Sequence, residues 1–294
     1  MDDIDKPAFE KATDFCEAKF QSAEIVFNFA GNHLDAINSV FPRNEFGFRD
    51  SCVKGLWYRA YSWLESLTKL NSPKDYQAFA AANRGLFEIT VDLALLYDDK
   101  TNSSGWKMWW WNLSEKLVGA EILVAYFNEQ SIEIPDVYSE QQEFIKREKD
   151  SILHMRSQLW NTVKHPKRWS NNGSLFDELK NVDRILETSI LKLFGMSLTQ
   201  YYRTEYRRMN WYIHSGVSSF WNLPAEAYPT LSAFLLDGCA NFGLLSTHIV
   251  LKDFGLAEHL PNYYEQLQKL ETAKLQTQIN YLDKWVSDEI AGQK

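Results

Sequence analysis

The sequence of 294 residues is long enough for one large domain or two small ones, and either can bury a sizeable core. Hydrophobic residues make up 45% of the chain and aromatic residues 15%, including 11 tryptophans, which predicts an aromatic-rich core or interface. The formal net charge of −8 argues against unspecific binding of nucleic acid over the whole surface, but it leaves room for a local basic site.

The three cysteines, Cys16, Cys52 and Cys239, lie far apart in the sequence. Their odd number and wide spacing predict neither a disulfide framework nor a zinc site, and they favour a reduced, cytoplasmic protein. The acidic residues at 1–5 lack the pattern of a signal peptide. Because no apolar run of about 18 residues occurs, we expect no contact with a membrane.

Apolar residues recur at helical spacing through nearly the whole chain. The predicted helices cover about 7–41 with an interruption at 31–32, 49–70, 75–97, 106–128, 174–194, 197–216, 225–254 and 257–290. A further long helix starts near 138 and passes through 160, and Pro166 ends it or soon follows its end. No segment alternates apolar and polar residues like a strand, so the predicted fold is all-α, a compact array of about eight or nine helices. We favour one domain over residues 1–294, with 131–137 as the place where a subdivision would fall.

The predicted helix at 197–216 carries the densest set of chemistry-bearing residues. Residues seven apart nearly eclipse on a helix of about 3.6 residues per turn, so Arg207 and His214 share one stripe. That stripe also includes Arg203, Asn210 and Trp211. A glycine at 216 ends the helix just after His214, where the helix dipole favours the protonated imidazole. A guanidinium that binds phosphate beside an imidazole that moves protons indicates chemistry on a phosphate ester.

An arginine, five or six intervening residues and a histidine at a helix end resemble the motif of HEPN-domain ribonucleases. The resemblance implies a homodimer in which two motifs face each other across a cleft. It also implies RNA cleavage without a metal or cofactor, by attack of a ribose 2′-hydroxyl on the adjacent phosphate, in a defence or toxin module. In this chain Arg207 or Arg208 would bind the phosphate and His214 would transfer protons.

Asn210 would fill the polar position that follows the arginine in that motif, although it lies two or three places later than usual. Arg203 and Trp211 would contact the RNA. The alternative is a solvated or salt-bridged helix face with His214 as a capping or buried hydrogen-bonding residue. The spacing alone favours this alternative, because Arg147 and His154 repeat it in the middle of another predicted helix. On the neighbouring face we expect a core contact by Tyr202, Tyr206, Met209 and Ile213.

A second constellation is Arg84 with Glu88 one helical turn later and Asp92 a turn after that. The simpler interpretation is an intrahelical ion pair between Arg84 and Glu88. The functional alternative is that Glu88 orients Arg207 or His214. An early Arg…Glu helix followed by a late Tyr…His-Ser helix also resembles a bacterial all-helical family of uncharacterised function, over about residues 49–220, which implies a fold but no activity.

The most basic short run is 160–169, which has tryptophans at both ends. Lys164, His165 and Arg168 could follow an RNA backbone while the rings stack on bases. The alternative is a helix end at which lysine and histidine interact with the dipole and the tryptophans pack the turn.

The run Trp106–Trp111 holds four tryptophans that cannot all face one core, so at least one should be exposed. A dimer or partner-protein interface is our first interpretation, and a base-stacking platform is the second. We find no phosphate-binding loop, zinc motif, di-iron pattern or hydrolase elbow, and therefore expect no metal or cofactor. Two functions remain open: a HEPN-like RNA-binding protein or ribonuclease, and a non-catalytic helical protein-interaction module.

Overall fold

A computed structural model of the chain describes residues 6–40, 47–99, 101–171, 173–189, 197–209 and 227–292. Every regular element in these ranges is helical, which confirms the predicted all-α class. The α-helices are α1 (Lys6–Asn32), α2 (Leu34–Ser39), α3 (Phe48–Leu67), α4 (Tyr76–Asp98), α5 (Asn102–Glu129), α6 (Ser139–Trp160), α7 (Leu175–Ser189), α8 (Leu198–Tyr201), α9 (Ala227–Asp253), α10 (Leu256–His259) and α11 (Tyr263–Gly292). Short 3₁₀ turns at Pro73–Asp75 and Asp136–Tyr138 lead into α4 and α6.

The structure differs from the predicted boundaries at three places. The first helix breaks at His33, slightly after the expected interruption, and continues as α2. The last predicted helix is divided into α10 and α11 because Pro261 cannot continue a helix and Asn262 adopts a left-handed φ of 55°. The predicted helix at 197–216, which we call the motif helix, begins as the short α8 and widens into a π-helical turn at Tyr202–Tyr206.

Helix α9 is the central element of the fold. It packs along α1 and α4, and nearly all of its residues from Ser232 to Leu251 are buried. It is also the one helix in the described ranges that is long and apolar enough to cross a membrane, but 83% of its most apolar window is buried inside the protein. A helix that is apolar on all sides is expected at the centre of a large helical core.

Helices α4 and α9 approach closely at Gly238. A Cβ atom there would lie 2.2 Å from Asn83 Nδ2 and 2.8 Å from the Tyr201 hydroxyl, so only glycine fits. The absent side chain allows Asn83 Nδ2 to donate to the Leu235 carbonyl at 2.7 Å. Asn83 Oδ1 accepts from the Tyr201 hydroxyl at 2.6 Å, which ties the motif helix to this junction.

Helices α5 and α6 form a hairpin with a small core of its own. That core consists of Leu117, Ala120, Phe144 and Ile152. Arg156, which is buried, extends from α6 to donate to the Ser114 hydroxyl and carbonyl on α5. The segment at 131–137, where the sequence suggested a subdivision, forms the tip of this hairpin.

Arg49 joins the start of α3 to the ends of two other helices. Its Nη2 atom lies 2.6 Å from both carboxylate oxygens of Asp253, whose side chain is 1% exposed. The guanidinium also donates to the carbonyls of Leu96 and Asp99, which the end of α4 leaves without helical partners. One cation therefore satisfies acceptors at the C-terminal ends of α4 and α9.

We predict that Arg49→Met destabilises the fold by about 3–5 kcal/mol, because Asp253 would be left as a buried charge without this partner. The measurement is urea denaturation followed by circular dichroism. Lys69→Met is the control, since its ion pair with Glu65 is exposed and should contribute less than about 1 kcal/mol. Equal losses in the two variants would contradict the role of Arg49.

Candidate functional site

The start of the motif helix is held by side chains on two sides. The Ser197 hydroxyl accepts from the backbone N–H of Gln200, which is the usual N-cap contact. Both carboxylate oxygens of Asp183, on α7, accept backbone N–H groups from Leu198 and Thr199, at 2.6 and 3.1 Å. These bonds satisfy the free N–H groups of the first turn and fix α8 against α7.

The expected core-facing side of the motif is confirmed for the residues the structure describes. Tyr206 and Met209 are buried, and Tyr202 packs between the rings of Tyr206 and Phe176. Ile213 lies outside the described residues. The π-helical turn at Tyr202–Tyr206 brings the hydroxyl of Tyr206 onto Glu88 of α4. Such turns recur at functional sites because they displace side chains from the regular helical stripe.

The three arginines of the motif lie on the outer side of this helix. Arg203 sits over the ring of Phe176, 5.3 Å from its centroid. Arg208 is 54% exposed and lies 3.5 Å from Glu205. Arg207 is exposed and forms no hydrogen bond or ion pair with any residue that the structure describes. Arg207 is thus a cation that an anionic ligand could reach without displacing a described partner.

A cavity of about 470 Å³ lies between the motif helix and α9. Arg208 and Glu205 contribute its charged side, and Met209 and Phe234 are among its apolar residues. Its volume is within the range of about 300–1,000 Å³ that is typical of ligand sites. A phosphate entering this cavity would meet Arg208, whose only described ion pair is long and partly solvated.

The remaining predicted residues of the motif, Asn210, Trp211 and His214, lie outside the described residues. The chain passes directly from Met209, which lines the cavity, into the range 210–226 that contains them.

Arg84 and Glu88 form the intrahelical ion pair, with 2.9 Å between Nε and Oε1. Both side chains are about two-thirds buried, and Arg84 also lies 5.6 Å from the centroid of the Tyr206 ring. Burial alone would lower the pKa of the Arg84 guanidinium, but the interactions with Glu88 and Tyr206 are stronger together and raise this pKa. Glu88 thus contacts the motif helix through Tyr206, the residue before Arg207, and no bond joins Glu88 to Arg207 itself.

The basic run at 160–169 does not form one basic surface. Lys164 is exposed, but His165 packs against the ring of Trp111 and meets the carboxylate of Glu115. Burial lowers the pKa of His165 despite the opposing charge of Glu115, so the ring is neutral near pH 7. Arg168 is buried between two carboxylates, which favours the structural alternative for this residue.

Arg168 is the centre of a buried network that sequence reasoning did not find. Its Nε donates to Glu178 Oε2 at 3.0 Å, and its Nη2 donates to Asp92 Oδ1. The Ser170 hydroxyl donates to the other oxygen of Glu178. The one signal in the sequence is that Glu178 falls beside Leu179 and Val182 on the apolar stripe of α7, where a carboxylate requires a buried partner.

The charge balance of this network sets its pH dependence. Two carboxyl groups share one guanidinium, and burial with repulsion from Asp92 raises the pKa of Glu178 to about 7 against the pull of Arg168. Burial also raises the pKa of Asp92, while bonds from Arg168 and Trp169 oppose the rise. The pair therefore holds a proton that the unfolded chain releases near pH 4.5.

We predict that the free energy of unfolding falls by up to about 3 kcal/mol between pH 4.5 and 7 because of Glu178. Below pH 4.5 Glu178 is protonated in both the folded and the unfolded chain. Between pH 4.5 and 7 only the folded chain keeps this proton, so the free energy of unfolding decreases as the pH rises. Comparing urea denaturation of wild type and Glu178→Gln across this window isolates the effect. Glu187→Gln, exposed on the same helix, should follow wild type. A wild-type profile parallel to that of Glu178→Gln would contradict the prediction.

The tryptophan cluster at Trp106–Trp111 divides between packing and exposure. Trp106 and Trp110 pack edge-to-face, and Trp111 Nε1 donates to the Pro166 carbonyl at 2.9 Å. Trp109 is 44% exposed, which confirms that at least one of these rings reaches the surface. It lies 5.7 Å from the ring of Phe48, which is also exposed.

Within the described part of the chain, no three His, Cys, Asp or Glu side chains converge in a way that could hold a metal ion. Comparison of the chain with models of known protein families, with curated proteins and with solved structures gave no match.

Proposed function

We propose that this chain binds RNA and cleaves it without a metal ion, at a site that includes Arg207, Arg208 and His214. The observation that carries the proposal is the position of Arg208 on a cavity of about 470 Å³. Arg207, which precedes it, is exposed and pairs with no residue in the described ranges. A guanidinium on a cavity, with a second one on the preceding residue of the same helix, matches the needs of a phosphodiester, which presents several acceptor oxygens.

The chemistry assigned to the site is transfer within the RNA strand. The ribose 2′-hydroxyl attacks the adjacent phosphorus, the bond to the 5′-oxygen of the next nucleotide breaks, and a cyclic phosphate remains. Arg207 and Arg208 stabilise the charge that builds on the phosphate oxygens. His214 transfers protons, as a histidine can near neutral pH. The Arg84–Glu88–Tyr206 cluster positions the helix that carries the arginines.

The same proposal includes a cytoplasmic homodimer. The resemblance to HEPN-domain ribonucleases implies that two motifs face each other, and the exposure of Arg203, Arg207 and Arg208 is compatible with a second copy across the motif helix. In a dimer of this kind the phosphate would bind between arginines of both copies.

We predict that wild type cleaves single-stranded RNA in excess EDTA and leaves 2′,3′-cyclic phosphate ends. His214→Ala should reduce the rate at least about 100-fold, because it removes the proton-transferring group. Arg207→Ala should reduce it by a similar factor through lost charge stabilisation. The measurement is the initial rate on labelled RNA, with product ends analysed by mass spectrometry.

The chain offers a matched control at Arg147 and His154, which have the same spacing. Both are exposed in the middle of α6, and Arg147 is paired with Glu148. His154→Ala should therefore cleave RNA like wild type. No cleavage by wild type, or equal rates in wild type and His214→Ala, would overturn the ribonuclease proposal.

A second candidate function is a non-catalytic module that binds a protein partner or a second copy through the Trp106–Trp111 segment. The observation that favours it is the exposed aromatic pair of Phe48 and Trp109. Exposed aromatic rings often anchor protein contacts.

This alternative predicts that Phe48→Ala weakens self-association at least about tenfold, since a central aromatic anchor is commonly worth 1–2 kcal/mol or more. Sedimentation equilibrium would measure the dimer dissociation constant. Tyr264→Ala, which removes a comparably exposed ring on α11, is the control. An unchanged constant in Phe48→Ala would remove this surface from the dimer interface.

A further inference from the structure

Helices α3 and α5 enclose a second cavity, a groove of about 260 Å³. An exposed stripe of α3 with four-residue spacing, Ser51, Gly55 and Arg59, forms one wall. Trp109 and Asn112 of α5 form the other wall. The floor consists of Cys52, Leu56, Asp92, Met108, Trp111 and Trp169. None of these residues lines the cavity beside Arg208.

Three indole rings line this groove. The N–H groups of Trp111 and Trp169 are bonded within the protein, to the Pro166 carbonyl and to Asp92 Oδ1. What these two residues present to the groove is therefore mainly the carbon surface of their rings. Trp109, exposed at the mouth, adds a ring that a ligand can reach. Such a lining suits a flat aromatic ligand, because planar rings stack on indoles.

Asp92 places one open polar atom at the floor. Arg168 and Trp169 both donate to Oδ1, and no described residue donates to Oδ2. The carboxylate is 15% exposed and lines the groove, so a ligand in the groove can reach it. A ligand N–H brought to Oδ2 would satisfy an acceptor that has no donor among the described residues.

Arg59 supplies a cation at the rim. It is exposed and forms no hydrogen bond or ion pair with any other residue in the described ranges. A free guanidinium at the mouth of an aromatic groove favours a ligand that carries a negative group outside the groove. It disfavours a quaternary ammonium ligand, which tryptophan-lined sites otherwise attract.

Cys52 contributes no reactive group to this groove. Burial, with the charge of Asp92 adding to it, raises the pKa of the Cys52 thiol to about 11. The thiol is therefore protonated at neutral pH and acts as a small apolar side chain.

We propose that this groove binds a nucleotide, with the base between Trp109 and the indoles of the floor, a base N–H donating to Asp92 Oδ2, and the phosphate at Arg59. The volume of about 260 Å³ lies just below the roughly 300 Å³ at which drug-sized sites begin, so it suits a base with its phosphate outside. The nucleotide is either free or one residue of a single strand. The site goes beyond the proposed cleavage site and does not depend on it.

The test is isothermal titration calorimetry of the full chain with AMP, CMP, purine riboside 5′-monophosphate, adenosine and a hexamer of adenylate. AMP and CMP should bind more tightly than purine riboside 5′-monophosphate, because its base carries no N–H group that could donate to Asp92 Oδ2. AMP should bind at least about tenfold more tightly than adenosine, because the nucleoside lacks the group that meets Arg59. Tighter binding of AMP than of the hexamer indicates a free nucleotide, and the reverse order indicates a strand.

Gly55→Leu blocks the groove without removing any contact, because a Cβ atom at Gly55 meets nothing within 4 Å. Gly119→Leu is the matched control, since that glycine is also exposed, helical and free of neighbours within 4 Å. We expect Gly55→Leu to weaken AMP binding at least about tenfold and Gly119→Leu to bind like wild type. Trp109→Ala should lose a similar factor through base stacking.

No binding of any nucleotide at millimolar concentration would overturn the proposal. Equal affinities of wild type and Gly55→Leu would place any binding outside this groove, which overturns it as well. Equal affinities for AMP and purine riboside 5′-monophosphate would overturn the role of Asp92. Calorimetry measures binding alone, so these outcomes are distinguishable from the presence or absence of RNA cleavage.

Discussion

The arrangement of this fold depends on the contact between Asn83 and the backbone of α9 at Gly238. The amide of Asn83 is completely buried, and each end of it is bonded to a different helix: Nδ2 to the Leu235 carbonyl and Oδ1 to the Tyr201 hydroxyl. Glycine at 238 is what permits this approach. A buried amide without these partners would be costly, so the contact selects one relative position of α4, α9 and the motif helix.

One polar stripe of α4 contacts both the motif helix and the groove between α3 and α5. Glu88 faces Tyr206 at the motif helix, and Asp92, one turn later, faces Arg168 and the tryptophan groove. Glu88 raises the pKa of Asp92, although burial has the larger effect, so the charges of the two sites interact. Because burial raises the pKa of Glu178 in this network, the folded and unfolded chains bind different numbers of protons, and we expect stability to depend on pH.

The aromatic residues serve mainly to hold connections in place. Trp111 Nε1 bonds to the Pro166 carbonyl and Trp160 Nε1 bonds to the Trp169 carbonyl, so two indoles fix the segment between α6 and α7. That segment then carries Arg168 to the floor of the groove. A large ring with one N–H group can fill space and satisfy a loop carbonyl at once, which suits a protein with few prolines and glycines.

The sequence by itself determined the helical class and most helix positions, because apolar periodicity is a local property that needs no knowledge of neighbours. It also indicated the Arg84–Glu88 pair, the buried face of Tyr206 and Met209, and an exposed ring within Trp106–Trp111. Only the tertiary structure decided that Arg168 meets Asp92 and Glu178, and that α3 and α5 enclose a groove. Those residues are separated by 76 and 10 positions along the chain, and no spacing rule links side chains that meet through helix packing rather than through a shared helical face.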